Sequence, residues 1–190
     1  MNSDLTPVPG DGALDPSADV AGPASVVRTD VPATDDDRTQ LTTMLDYVRA
    51  TVHAKCEGLS EQDARRAPLP GSPLMTISGL VSHLRLVEYS WFEVHLLGEE
   101  YRGPCLKEED REMRIAVEVP LAQLLAKYEA TCARHRELTA SLDLDTPSRH
   151  MLEGRPFTLR YVLLHLIEET ARHNGHIDIL REMADGVTGM

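Results

Sequence analysis

The sequence predicts an all-α fold, a four-helix bundle with long connections and a disordered acidic N-terminal tail. Two observations predict this fold. Four stretches of about 20 residues or more carry apolar side chains at intervals of three and four residues, and the alternation typical of strands is almost absent. Because each such helix must bury one apolar face, packing the four against one another is the most economical arrangement.

The first 37 residues differ in composition from the rest of the chain. They contain five of the twelve prolines and eight aspartates, against one basic residue, Arg28. A segment of this composition cannot bury enough apolar surface to offset the entropy that it loses on ordering. We therefore predict a disordered tail over 1–37 and a single domain over 38–186.

Residues that favour helix ends bound the four helices. Aspartates at 35–37 suit the start of the first helix, since their carboxylates can accept hydrogen bonds from unpaired backbone N–H groups. Pro120 is a good first-turn residue for the third helix, and Gly58 and Gly186 suit the ends of the first and fourth. A short turn of helix is also expected between Ser60 and Pro68. The long helices are predicted over 37–57, 76–97, 120–142 and 158–186.

Two polar connections separate the later helices. Residues 98–118 and 143–157 mix glycine, proline and charge, and no regular element is predicted in either of them. Both connections are longer than an idealised up-down bundle needs. They are expected to be insertions or to cover a site at one end of the bundle.

Composition also disfavours several classes of protein. The formal net charge of −12 repels a phosphate backbone, so we expect no nucleic-acid partner. No apolar run reaches the roughly 18 residues that a membrane span needs, and the N-terminus lacks the features of a signal peptide. We therefore expect a cytoplasmic protein without membrane contact. The three cysteines form no CxxC pair and indicate neither a disulfide framework nor a zinc ribbon.

The inward face of the fourth helix carries two residues that a bundle core does not favour. Glu169 and His173 stand there four residues apart, so they lie one turn apart on the same face. On the second helix, His83 also faces inward or nearly so. Two histidines and a glutamate with an open fourth position are typical of a catalytic zinc site, and a similar set can hold Fe(II), Mn²⁺ or Ni²⁺.

Other roles for these histidines remain open from the sequence. Glu169 could lie at the margin of the apolar stripe and His173 could be a hydrogen-bonded core residue, because an isolated pair of this spacing is common by chance. His176 could replace Glu169 as the third ligand, or it could hold a metal-bound water molecule without binding the metal itself. We expect core or structural roles for His165 and His135.

The domain resembles the DinB-like metal-binding four-helix bundles in two segments, GLVSHLRLVEYSWFEVHLLGE at 79–99 and LLHLIEETARHNGHIDILRE at 163–182. It is most similar to the branch related to mycothiol-dependent maleylpyruvate isomerase. The resemblance implies one divalent metal, zinc or nickel before manganese or iron, held by His83, Glu169 and His173. The isomerase's additional C-terminal domain has no counterpart before Met190, so isomerisation itself is not expected.

The same resemblance implies an activity, because the family includes S-transferases that use mycothiol, bacillithiol or glutathione. The main hypothesis is a mycothiol-type S-transferase in which the metal activates the thiol for attack on an unknown electrophile. Arg85, Arg172 and Asn174 are candidates for contacts with the carboxylates of the thiol cosubstrate. The alternatives are a metal-dependent hydrolase and a non-catalytic metal- or small-ligand-binding protein of a stress response. A homodimer through an exposed bundle face is compatible with the sequence.

Overall fold

The computed structural model of the chain describes residues 26–103 and 110–189. It confirms the all-α bundle. The greater part of the predicted tail, residues 1–25, and Cys105 lie outside the described residues. The elements are α1 (Asp37–Cys56), α2 (Glu61–Ala64), α3 (Ile77–Tyr89), a π-helical segment (Ser90–Leu96), α4 (Arg111–Ala116), α5 (Leu121–Ser141), β1 (Pro147–Leu152), β2 (Arg155–Thr158) and α6 (Leu159–Asp185).

Side-chain caps fix the starts of the long helices. Asp36, Thr76 and Thr158 precede α1, α3 and α6, and the side chain of each accepts a hydrogen bond from a backbone N–H of the first turn. Gly186 ends α6 with a φ of 78°, a left-handed conformation that glycine adopts without strain. Since Asp36 caps α1, a residue within the predicted tail contributes to the first helix.

Helix α6 packs beside α1 on one side and α3 on the other. It runs parallel to α1, because Asp37 pairs with Arg160 near the starts of the two helices and Lys55 pairs with Asp178 further along both. It runs antiparallel to α3, because His83 faces Glu169 while Trp91, about two turns further along in the π-helical segment that continues α3, contacts Tyr161. The α3–α6 pair therefore forms one wall of the bundle.

The topology accounts for the long connection between α3 and α5. The starts of both helices, at Leu80 and Leu121, lie in one core cluster. Phe92, in the π-helical continuation of α3, and Leu138, late in α5, lie in or against a second. The two helices are therefore parallel, so the chain must return along the length of the bundle before α5 begins. Helix α4, which packs on α3, lies on this return path.

The structure corrects three details of the predicted elements. The loop prediction for 143–157 is wrong in part, because β1 and β2 form an antiparallel hairpin whose turn residues Glu153 and Gly154 both have positive φ. No element was predicted over 98–118, where α4 lies. The predicted helix over 76–97 changes to π-helical geometry at Ser90. None of the helices in the two described ranges is long and apolar enough to cross a membrane.

A polar layer separates the two core clusters. The first cluster contains Val52, Leu84 and Cys132, and the second contains Leu45 and Phe92. Between these positions along α1, α3 and α5 stand three side chains that are at most 2% exposed: Arg49, Glu88 and His135. Burying charge in this way requires partners.

Candidate metal centre

The three side chains predicted as metal ligands lie together on the α3–α6 wall. One ligand atom of each of His83, Glu169 and His173 lies within 4.8 Å of the other two. Oε1 of Glu169 is 3.1 Å from Nε2 of His173 and 3.6 Å from Nε2 of His83. Two imidazoles and a carboxylate thus present donor atoms to one point, because α3 and α6 are antiparallel neighbours and the α6 residues are one turn apart.

A second set of contacts fixes the orientation of both imidazole rings. Nδ1 of His83 is 3.2 Å from Oε1 of Glu112 on α4, and Nδ1 of His173 is 3.2 Å from Nδ1 of His176. In both ligand candidates the outer nitrogen is therefore engaged and Nε2 is directed to the centre. This is the arrangement that holds a metal-binding histidine in the correct tautomer.

The centre is partly accessible to solvent. The side chain of His83 is 27% exposed, and those of Glu169 and His173 are each 13% exposed. Burial, and then the charge of the neighbouring His83, lowers the pKa of His173 and favours the neutral ring that a metal needs. Burial alone would raise the pKa of Glu169, but His173 and Arg172 outweigh it and the pKa is lowered. Two imidazoles and one carboxylate fit a divalent transition metal.

The residues predicted to contact a cosubstrate have different surroundings. Arg172 donates a hydrogen bond of 3.0 Å to Oε2 of Glu169 and also pairs with Glu168, so it lies beside the centre. Asn174 is buried against α1, where its amide donates to the carbonyl oxygen of Val48 at 2.8 Å. Arg85 is partly buried and has no hydrogen bond or ion pair with a residue in the described ranges.

Comparison with known families adds to this geometry. The sequence model of the mycothiol-S-transferase family matches residues 40–186. The chain belongs to the mycothiol-S-transferase family. The match covers every helix from α1 to α6, apart from the first three residues of α1. A search of curated proteins finds no match to the chain.

Membership of the mycothiol-S-transferase family implies a thiol substrate, and the chain's own described thiols are poorly suited to react. Cys56 is buried, and this burial raises the pKa of its thiol to about 12. Burial likewise raises the pKa of Cys132 well above its usual range. Because the thiolate is the reactive form, these two side chains are inert core residues at neutral pH.

The pattern of residues did not predict Glu112 as a neighbour of the candidate metal centre. It lies in the short helix α4, within a stretch that has no long apolar period, so spacing alone could not orient it. Its side chain is only 13% exposed. The segment was expected to be a polar loop, in which a well-covered carboxylate is unexpected. Glu112 can be recognised as a partner of His83 only once the return path of the chain is known.

A second group of charged residues lies in the polar layer. Glu88 accepts two hydrogen bonds of 2.7 Å from Arg49 and lies 3.0 Å from Nδ1 of His135. Nε2 of the same ring lies 3.1 Å from Glu93, which also pairs with Arg134. Both ring nitrogens of His135 therefore lie within hydrogen-bonding distance of a carboxylate. His135 is thus a structural residue, as expected.

Proposed function

We propose that this protein is a divalent-metal-dependent S-transferase that joins a low-molecular-weight thiol of the mycothiol type to an electrophile. The proposal rests on one observation above all: His83, Glu169 and His173 direct three donor atoms to one point. Family membership supplies the thiol, and the geometry supplies a place where a metal could activate it. We propose these three side chains as the metal ligands.

The donor set limits which metal would fit and what it would do. Imidazole nitrogens and a single carboxylate suit zinc or nickel, and they also suit manganese or iron. A divalent metal bound here through three side chains would lower the pKa of a thiol at its remaining position, so that the thiolate exists at neutral pH. We propose zinc or nickel as the resident ion.

Residues of the chain orient the ligand side chains and balance the positive charge of the proposed metal. Glu112 accepts a hydrogen bond from Nδ1–H of His83, so it keeps the Nε2 lone pair directed inwards. His176 has the same role behind His173, and Glu169 contributes a negative charge opposite the cation. Arg172, already hydrogen-bonded to Glu169, is the proposed contact for an anionic group of the thiol cosubstrate.

The reaction is a transfer of sulfur to carbon. In its substitution form, the thiol proton passes to solvent, a carbon–sulfur bond forms, and the leaving group departs with its bonding electron pair. The nucleophile is the small-molecule thiol, so no covalent bond to Cys56 or Cys132 is needed. This agrees with the burial of Cys56 and Cys132.

The test is the metal content of untagged protein, measured by elemental mass spectrometry, together with thiol-dependent conjugation of a reactive electrophile. We expect about one divalent metal per chain. His83→Ala, Glu169→Ala and His173→Ala should each lose the metal and the conjugating activity while circular dichroism still shows the helices. His150→Ala is the matched control, since this exposed histidine lies in β1, outside the site.

Three results would overturn the proposal. One is the absence of bound metal even after reconstitution with Zn²⁺ or Ni²⁺. The second is metal-dependent turnover that needs water but no thiol, which would indicate the hydrolase alternative. The third is metal binding without turnover of any thiol and electrophile, which would indicate a binding protein.

A further inference from the structure

Four aromatic rings lie together on the same α3–α6 wall, in what we call the ring platform: Trp91, Phe157, Tyr161 and His165. The centroid of Trp91 is 4.1 Å from that of His165, 5.5 Å from Phe157 and 5.9 Å from Tyr161. Tyr161 and His165 are themselves stacked, with an angle of 10° between their planes. These rings come from the π-helical segment, β2 and α6.

The ring platform adjoins the candidate metal centre. His165 precedes Glu169 by four residues on α6, which is one helical turn, or about 6 Å along the axis. Trp91 follows His83 by eight residues on the opposing helix. Because α3 and α6 are antiparallel, His165 is displaced from Glu169 in the same direction as Trp91 is displaced from His83. Both displacements lead away from the metal centre towards the β-hairpin.

The ring platform is partly exposed to solvent, unlike a core cluster. Tyr161 is 39% exposed, and Trp91, Phe157 and His165 are each only partly buried. Trp91 and Phe157 pack their inner sides on the second core cluster. The exposed parts of Trp91 and Phe157, together with Tyr161, form an aromatic surface in contact with solvent, within about two helical turns of Glu169.

We propose that the ring platform binds the electrophilic substrate, and that this substrate carries a flat aromatic or conjugated ring. This inference rests on the proposed S-transferase function, in which a second substrate must lie beside the thiol sulfur. Flat rings gain stacking and edge-to-face contacts with aromatic side chains beyond the burial of area. A ring stacked here would direct a substituent towards the metal centre, which lies one to two helical turns away.

Two probes that undergo the same net exchange of chloride for the thiol sulfur separate ring recognition from reactivity. With 1-chloro-2,4-dinitrobenzene, the thiol sulfur bonds to the ring carbon, chloride leaves with the electron pair, and the thiol proton passes to solvent. With chloroacetamide the same bonds change, but the substrate has no ring. An effect of the ring platform should therefore appear with the first probe alone.

The kinetic test uses full-length, metal-loaded protein and one thiol with both probes. Trp91→Leu should raise KM for the chlorodinitrobenzene by about three- to tenfold, the range expected for one lost aromatic contact. The KM for chloroacetamide should be unchanged. Trp91→Phe should restore most of the loss, and Tyr47→Leu is the control, because this partly buried tyrosine lies on α1 away from the ring platform.

A binding test needs neither thiol nor turnover. Trp91 is the only tryptophan in the chain, so its fluorescence reports on the ring platform directly. 1,3-Dinitrobenzene, which has no chlorine to lose, should quench this emission in a saturable manner. Tyr161→Leu, which leaves Trp91 in place, should weaken the apparent affinity by about threefold or more, whereas Tyr47→Leu should not.

The two tests separate failure of this inference from failure of the proposed function. If wild-type protein conjugates both probes but Trp91→Leu affects both equally or neither, the ring platform does not bind the electrophile. If wild-type protein conjugates neither probe, the proposed function fails, and fluorescence alone decides about ring binding. Saturable quenching that Tyr161→Leu weakens would support it, and linear, variant-independent quenching would overturn it.

Discussion

Nδ1 of His83 lies 3.2 Å from Oε1 of Glu112, and this contact joins α4 to the candidate metal centre. It exists because α3 and α5 are parallel. The chain must return along the bundle between them, and the return path places α4 against α3. The long connection therefore supplies an outer carboxylate to the site, as well as linking two helices.

We expect Glu112→Ala to weaken metal binding without unfolding the bundle. Loss of the carboxylate frees the His83 ring to rotate and removes the acceptor that selects its tautomer, a change that commonly costs about 10- to 100-fold in metal affinity. The measurement is competition for the metal against a chelator of known affinity. Glu118→Ala is the control, since it removes an exposed carboxylate six residues away. Equal affinity in the two variants would show that Glu112 does not support the ligand.

The sequence predicted which residues come together in the candidate metal centre better than it predicted the contacts around them. Helical spacing predicted His83, Glu169 and His173, because a polar side chain on the inward face of a helix is costly unless it has a partner. Glu112 does not follow from spacing, since nothing in its local pattern sets the path of the connection. The hairpin was missed because most of its residues are exposed on both faces, so β1 and β2 lack the alternation that marks a half-buried strand.

The polar layer shows the same limit of prediction from the sequence. Glu88 and His135 lie 47 residues apart in the chain, on helices whose lateral order and relative direction the sequence alone does not determine. Each helix could be predicted from its own apolar period. Which polar positions would face one another depended on α3 and α5 being parallel neighbours.

Removing one member of the buried ion network should destabilise the fold strongly. Glu88→Ala leaves the buried guanidinium of Arg49 without the carboxylate that accepts two of its hydrogen bonds and removes a partner of His135, and such a loss costs about 3–5 kcal/mol. The free energy of unfolding, measured with urea, checks this. Glu168→Ala is the matched control, because it breaks an exposed pair with Arg172 and should cost less than about 1 kcal/mol. Similar values for both variants would contradict a structural role for the network.

The same glutamate predicts a pH dependence of stability. Burial alone would raise the pKa of Glu88, but the charge of Arg49 and the hydrogen bonds from His135 and Arg49 lower it from 4.5 to about 2. A carboxyl whose pKa is lower in the folded state stabilises the fold fully above its unfolded value, and this contribution is lost as the pH falls towards the folded value.

We therefore expect the difference in unfolding free energy between wild type and Glu88→Gln to be constant above about pH 5. It should shrink progressively between about pH 4.5 and pH 2. Urea titrations of the two proteins at several pH values give this difference directly, and effects of acid that are common to both, including loss of metal, cancel. A difference that stays constant down to pH 3 would show that Glu88 has no lowered pKa.

The boundary between tail and domain gives the last prediction, because the structure places the N-cap of α1 inside the predicted tail. Oδ1 of Asp36 accepts hydrogen bonds from the backbone N–H groups of Arg38 and Thr39, at 2.9 and 3.2 Å. Asp37 forms an ion pair with Arg160. A truncation after residue 37 therefore removes these contacts of the bundle, whereas one after residue 25 keeps both of them.

Deletion of residues 1–25 should leave both the thermal midpoint and the metal content unchanged. Deletion of residues 1–37 should also keep the metal, but it should cost about 1 kcal/mol for the lost cap, or roughly 2–4 °C in midpoint for a chain of this size. Asp36→Ala in the full chain isolates the cap and should reproduce most of that loss. If the shorter deletion lowers the midpoint as far as the longer one, residues before 26 stabilise the bundle and the tail prediction is wrong. If neither deletion lowers it, the Asp36 cap contributes nothing measurable, and α1 is held by its packing on α6 and by contacts such as Arg49–Glu88.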